Sequence, residues 1–167
     1  LPVSEYRNWL STLPQTVHEQ MQSRWGGPEK SAMVIREKGE AYFVVPRLKL
    51  GNVVILPQAP RGERWEDKDK SIYHSPTAAP SHFYMASYLW VRTQHKADAI
   101  VHFGTHGSQE WLPGKERALS VYDYPMLALG DVPVVYPYIA DNIGEALQTK
   151  RRGRAVVISH QTPSFNP

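Results

Sequence analysis

Apolar residues recur at helical spacing over residues 4–25, where Trp9, Leu10, Leu13, Val17 and Met21 share a face and Pro14 interrupts it, predicting one or two amphipathic helices. Gly26-Gly27-Pro28 ends the segment. Beyond a polar stretch, residues 41–45 and 52–56 have the β-branched and aromatic content of strands, the second being the better candidate for a buried sheet. Residues 57–80 turn to Pro, Gly and charge over a length that ordinary connections do not reach, which marks a working loop. Ser81 caps a helix predicted to continue to residue 96, with Tyr84, Tyr88 and Val91 in one row and Met85 and Leu89 in the next. Those aromatics read as core.

Residues 99–103 form a buried-strand pattern, followed by a turn at Gly104-Thr105-His106-Gly107 and a short helical piece through Trp111. Another strand is predicted over 132–139. Asn142 with Glu145 three residues on opens a helix in the manner of a capping box, Lys150-Arg151-Arg152 and Gly153 close it, and residues 155–158 make the last strand. Strands alternating with helices predict an α/β fold: a largely parallel, doubly wound sheet with flanking helices. The expected organisation is an N-terminal helical segment over 1–27 and an α/β domain over 41–167, joined as one unit. Ligands bind such sheets beyond the carboxyl ends of the strands, which puts the stretches after residues 56, 101 and 139 on one rim.

Composition narrows the chemistry. The 167 residues contain no cysteine, which excludes disulfides, thiolate metal sites and cysteine nucleophiles. No apolar run approaches the ~20 residues of a membrane-spanning helix, and the N-terminus shows no charged-then-apolar signal pattern, so a soluble, cytoplasmic chain is expected. The start at Leu1-Pro2-Val3 and the stop at Asn166-Pro167 read as a piece of something longer, in which a removed signal stays open. The net charge is +3, with the excess in the 150–154 cluster. That cluster suits a carboxylate-rich or phosphate-bearing ligand, or equally a basic helix end offsetting the helix dipole. It is too narrow for phosphate-driven affinity, so nucleic acid is set aside as a partner.

His102 and His106 lie four apart, but Gly104 and Gly107 argue for a strand-to-loop geometry rather than two ligands on a helix. With Glu110 they form a set that could hold a divalent metal or supply a base. For His102 the alternative of a hydrogen-bonded strand-end histidine stays open. Gln58 and Arg61 directly follow a predicted strand, where Arg61 could meet a carboxylate in bidentate fashion. Tyr73, His74 and His82 could face the same cleft, or for the histidines simply solvent. Gly114-Lys115 is no phosphate loop, because position 109 is Gln and Glu116 replaces the required hydroxyl residue. Dinucleotide and serine-hydrolase signatures are absent as well.

The run His102-Phe103-Gly104-Thr105-His106-Gly107-Ser108-Gln109-Glu110-Trp111-Leu112-Pro113-Gly114-Lys115 resembles the large, tetrapyrrole-binding subunits of cobaltochelatase and magnesium chelatase. Gly51-Asn52-Val53, the 58–62 segment, Tyr73-His74, Tyr136-Pro137-Tyr138, Asn142 with Gly144-Glu145, and Lys150-Arg151-Arg152 extend the resemblance in the same order. Trp111-Leu112 looks closer to the cobalt branch, while Gln109 and Gln161 stand where family members frequently carry Leu.

The resemblance implies one part of an ATP-dependent metal chelatase, a ligase forming nitrogen–metal bonds, that inserts a divalent metal into a corrinoid. Cobalt comes first, with magnesium or iron as alternatives. AAA+ ATPase partners, and not this chain, would hydrolyse ATP. A haem-utilisation relative that removes iron, a magnesium chelatase subunit and a non-catalytic tetrapyrrole binder are the competing readings. Implied site residues are His102, His106 and Glu110 for metal and catalysis. Gln58, Arg61, Tyr73, His74, His82, Lys115, Lys150, Arg151 and Arg152 are implied for the macrocycle.

Overall fold

The computed structural model of the chain describes residues 1–64, 72, 75–104, 107–116, 118–138 and 143–159, the side chains of 138, 143 and 159 excepted. Pro14 does divide the first segment, standing as the N-cap between α1 (Val3–Ser11) and α2 (Gln15–Trp25), and Gly26 at φ 72° stops the second helix. A proline fits there because the first amide of a helix has no intrahelical acceptor to lose.

Residues 34–55 fold differently from expectation. They make two antiparallel hairpins, β1 (Val34–Glu37) with β2 (Glu40–Phe43) and β3 (Leu48–Leu50) with β4 (Val53–Ile55). Each closes through two residues. Lys38 and Gly39 both have positive φ, and Gly51 at φ 62° leads the Gly51-Asn52 turn. Turns with left-handed central residues match the twist of paired strands, which is why these dipeptides favour hairpins over crossovers. The segment expected to be a buried strand is therefore corrected: Val53 and Ile55 are exposed on a surface hairpin.

The Ser81 hydroxyl accepts the Tyr84 amide at 3.1 Å and starts α3 (His82–Thr93). Residues 82–90 of this helix are buried all round, which identifies it as the central helix of the fold. Three parallel strands follow in the order β5 (Ile100–Val101), β6 (Val134–Tyr138) and β7 (Ala155–Ser159). A 3-10 turn (Gln109–Trp111) and α4 (Tyr124–Leu129) occupy the first crossover, and α5 (Ile143–Arg152) the second. The α/β class, with a parallel sheet and flanking helices, agrees with expectation. The helix α4 was not anticipated, and Asn142 lies outside the described residues. None of the described helices is long and apolar enough to cross a membrane.

One core joins these parts, from Tyr6 and Met21 through Phe83, Tyr84 and Leu89 to Leu112, Leu129 and Tyr136. Its N-terminal side hinges on His82. Nε2 of that ring lies 2.9 Å from the Gly26 carbonyl, which can only accept, so Nε2 carries the proton and Nδ1 accepts from the Tyr6 hydroxyl at 3.0 Å. This single imidazole ties α1, the end of α2 and the start of α3 together. Tyr6→Phe strands Nδ1 in the core and is expected to cost about 1–3 kcal/mol, read as a lower denaturation midpoint with an unchanged m-value.

Candidate functional site

The motif segment begins where β5 ends. The His102 amide continues the ladder to the Val135 carbonyl at 2.9 Å, so its side chain is set by sheet register rather than by the loop that follows. The Tyr88 ring of α3 and the Tyr136 ring of β6 meet the imidazole nearly perpendicularly, at 6.1 and 6.3 Å between centroids. Its Nε2 lies 3.1 Å from the Tyr88 hydroxyl, which in turn donates to Gln58 Oε1 at 3.3 Å. Burial against aromatic rings penalises the imidazolium and holds the His102 pKa down, at about 4. The ring is neutral at pH 7.

The loop then dives under α5, and Glu110 is 1% exposed. Thr149 donates to its Oε1 at 3.3 Å, while Oε2 is buried with no hydrogen-bond partner among the described residues. Desolvation raises the Glu110 pKa, with hydrogen bonds from its own backbone amide and from Thr149 acting against it. A β-carbon on Gly107 would sit 1.9 Å from Glu110 Oε1, so any other residue there would displace the buried carboxylate. The Tyr136 phenol lies against the Gly107 backbone, and burial pushes it up to about 12.

Two arginines hold this loop from opposite sides. Arg152, at the end of α5, donates to the carbonyls of Glu110 at 2.8 Å and Leu112 at 2.7 Å, and to that of Lys115. Arg61 is 2% exposed and donates to the carbonyls of Ile72 at 3.3 Å and Ser108 at 3.1 Å. Between them opens a cleft of about 1080 Å³. Gln58 and Arg61 form one wall, Gly107, Ser108 and Trp111 the floor, and Glu145, Gln148 and Arg151 of α5 the other wall. It lies past the carboxyl ends of the strands, where a parallel sheet is expected to bind ligands.

Of the residues singled out in sequence, the structure brings Gln58, Arg61, Arg151 and Arg152 to the cleft, with Glu110 directly beneath it. His102 is linked to the wall through Tyr88. Lys115 and Lys150 are exposed and stand outside the lining. His82 belongs to the core contact between α1, α2 and α3 and has no place in the cleft. Tyr73, His74 and His106 lie outside the described residues, and no cluster of three metal-ligating side chains occurs among those described. Sequence reasoning missed Tyr88 and Thr149 as partners of the site. The tyrosine's place three residues from Met85 and Val91 in an apolar helix reads only as core.

The profile of the CobN/Magnesium Chelatase family matches residues 1–167. The chain belongs to this chelatase family. It is 39% identical over 163 residues to the aerobic cobaltochelatase subunit CobN of a Sinorhizobium species, covering 98% of this chain and 12% of that protein. Magnesium-chelatase subunit ChlH of Oryza sativa subsp. indica is 37% identical over 143 residues, 86% of this chain and 10% of its own. The solved catalytic subunit of cobaltochelatase from Mycobacterium tuberculosis superposes with a TM-score of 0.84 at 39% identity, over 95% of this chain and 14% of that one. This chelatase-family chain thus spans only about a tenth to an eighth of the length of the curated relatives it matches.

The neutral histidine makes a pH prediction. Unfolded, His102 takes up its proton near pH ~6.5, whereas the folded form resists until about pH 4. Between those values the unfolded state binds more protons, so stability falls as pH drops. The buried His82, also lowered, acts in the same direction. About 2 kcal/mol of the loss between pH 7 and pH 5 should belong to His102, and denaturation of a His102→Gln variant should show a correspondingly shallower acid limb.

Proposed function

We propose that the chain forms one wall of the macrocycle cleft in the large subunit of an ATP-dependent metal chelatase, inserting a divalent metal, cobalt foremost, into a corrinoid. The observation that carries this reading is the buried Glu110 carboxylate, with Oε2 unpaired among the described residues, beneath a cleft of about 1080 Å³. Insertion requires the inner pyrrole nitrogens to lose two protons while the metal sheds its water. A carboxylate whose proton affinity is raised by burial is suited to accept one of them. Thr149 fixes one oxygen, which leaves the other to receive the proton.

His102 and His106 complete the metal-handling set in this proposal, the first as a neutral imidazole. The exposed rim cation Arg151 is the group to pair with a peripheral carboxylate, with Lys150 beside it in sequence and Lys115 between the cleft-lining Gly114 and Glu116 as further cations. Arg61 and Arg152 act on the same ligand indirectly, by shaping the wall with guanidinium groups committed to backbone carbonyls. Trp111, 39% exposed on the floor, offers an aromatic face to a flat ring. ATP hydrolysis is assigned to AAA+ partner subunits, as the family resemblance implies.

The full-length subunit, its candidate ATPase partners and ATP are to be mixed with a metal-free corrinoid, a metal-free porphyrin or haem, following absorbance and bound metal. Cobalt entering the corrinoid is the expected result. Iron loss from haem would reassign the chain to removal, and a spectral shift without change of metal content would make it a binder. Glu110→Gln keeps the shape of the side chain but removes the base. It should lower insertion by roughly 10²- to 10⁴-fold with macrocycle affinity retained, and normal insertion would remove Glu110 from the mechanism. Arg151→Ala should weaken macrocycle binding roughly tenfold, the loss of one charge-assisted contact, with unchanged affinity in a fluorescence titration counting against the pairing.

A further inference from the structure

We propose that the outer face of the β5–β6–β7 sheet is closed by helices of the same large-subunit polypeptide that lie outside residues 1–167. Strand register shows how apolar that face is. Val101 pairs with Val135 and Val135 with Val156, while Pro137 pairs with Ile158 one step further along, so these five side chains share one side of the sheet. Val101 is 59% and Val156 63% exposed, Ile158 is exposed as well, and Phe103, two residues beyond Val101, stands almost wholly in solvent. All six side chains are apolar. The opposite side, carried by Ile100, Val134, Tyr136, Ala155 and Val157, is packed into the core with α3.

A strand with one face in water alternates apolar and polar residues, whereas parallel strands read as unbroken apolar runs because both of their faces are covered. Residues 134–137 and 155–158 are of the second kind. The described helices cover one face only. β5, β6 and β7 lie side by side in chain order, and right-handed crossovers taken in one direction along a sheet all pass over the same face. Leu127 and Leu129 of α4 accordingly join the core that holds α3, and Ala146 of α5 packs against it. Helices reach the other face from strands added where the winding reverses, on the side of β5 away from β6.

Residues 1–167 match an eighth or less of the relatives' length, so a subunit of this family has the polypeptide to supply those strands and helices. A partner that binds and leaves, an ATPase subunit included, would return an apolar sheet face to water at every release. A layer of the same chain covers it permanently.

The full-length subunit, purified without ATPase partners, tests this through Val156→Cys. Its reaction with a maleimide, followed by peptide mass spectrometry, should be at least roughly 100-fold slower in the native protein than in denaturant, as for a site reached only by unfolding. The protection should persist at concentrations where the subunit is monomeric. Native labelling as fast as in denaturant overturns the proposal and leaves the face to a separate partner, while protection lost on dilution assigns it to a second copy and overturns it equally.

Ile158→Leu, a conservative change grown with photo-leucine, identifies the cover. Irradiation should link residue 158 to peptides of its own chain outside residues 1–167 that carry apolar residues at helical spacing. Links confined to residues 1–167, links between isotopically light and heavy subunits in a mixed sample, or no link from residue 158 would each reject the proposal, even if Val156→Cys does not fold.

Discussion

A loop that leaves a strand and passes beneath a helix must find donors for carbonyls that neither element can satisfy, and Arg152 meets that requirement for the motif segment. Its planar fork reaches the carbonyls of Glu110, Leu112 and Lys115 at once, which an ammonium on a flexible stem could not do in one geometry. Because Arg152 ends α5, the same residue couples the motif loop to the helix that forms the far wall of the cleft. Arg61 repeats the device on the near side, through Ile72 and Ser108. The cleft keeps its width because its floor is suspended between two buried guanidinium groups rather than by loop residues alone.

Burial acts on His102 and Glu110 in opposite directions. It lifts the carboxyl of Glu110 and lowers the imidazole of His102, and in each case the uncharged form gains. Under the proposed function this suits the reaction, since protons must leave the macrocycle while a neutral imidazole keeps its lone pair. The aromatic residues around His102 supply the low-dielectric surroundings, and the Tyr88 phenol hydrogen-bonds to its Nε2.

Much of the element order was legible from residue spacing. Pro14 between two helices, Ser81 at the head of α3 and the apolar run at 155–158 are local signals, and the structure follows each. The hairpins over 34–55 were legible too, in the Lys38-Gly39 and Gly51-Asn52 dipeptides, but reading strand composition without turn chemistry hid them. The arginines are a different matter. Charge is visible in the sequence, whereas the carbonyls that claim Arg61 and Arg152, that of Ile72 apart, come from residues 37 to 47 positions away along the chain.

The sequence by itself determined the family, the parallel strands and helices and the motif that borders the cleft, because these depend on local periodicity and on an ordered run of residue types. Only the tertiary structure decided which charges remain available to a ligand. It placed His82 in the core and put Arg61 and Arg152 on backbone carbonyls, leaving Arg151 as the exposed cation of the far wall. It also joined Tyr88 to His102 and Gln58 across three elements. Hydrogen bonds and burial depend on which distant groups the fold brings together, and no spacing along the chain records that.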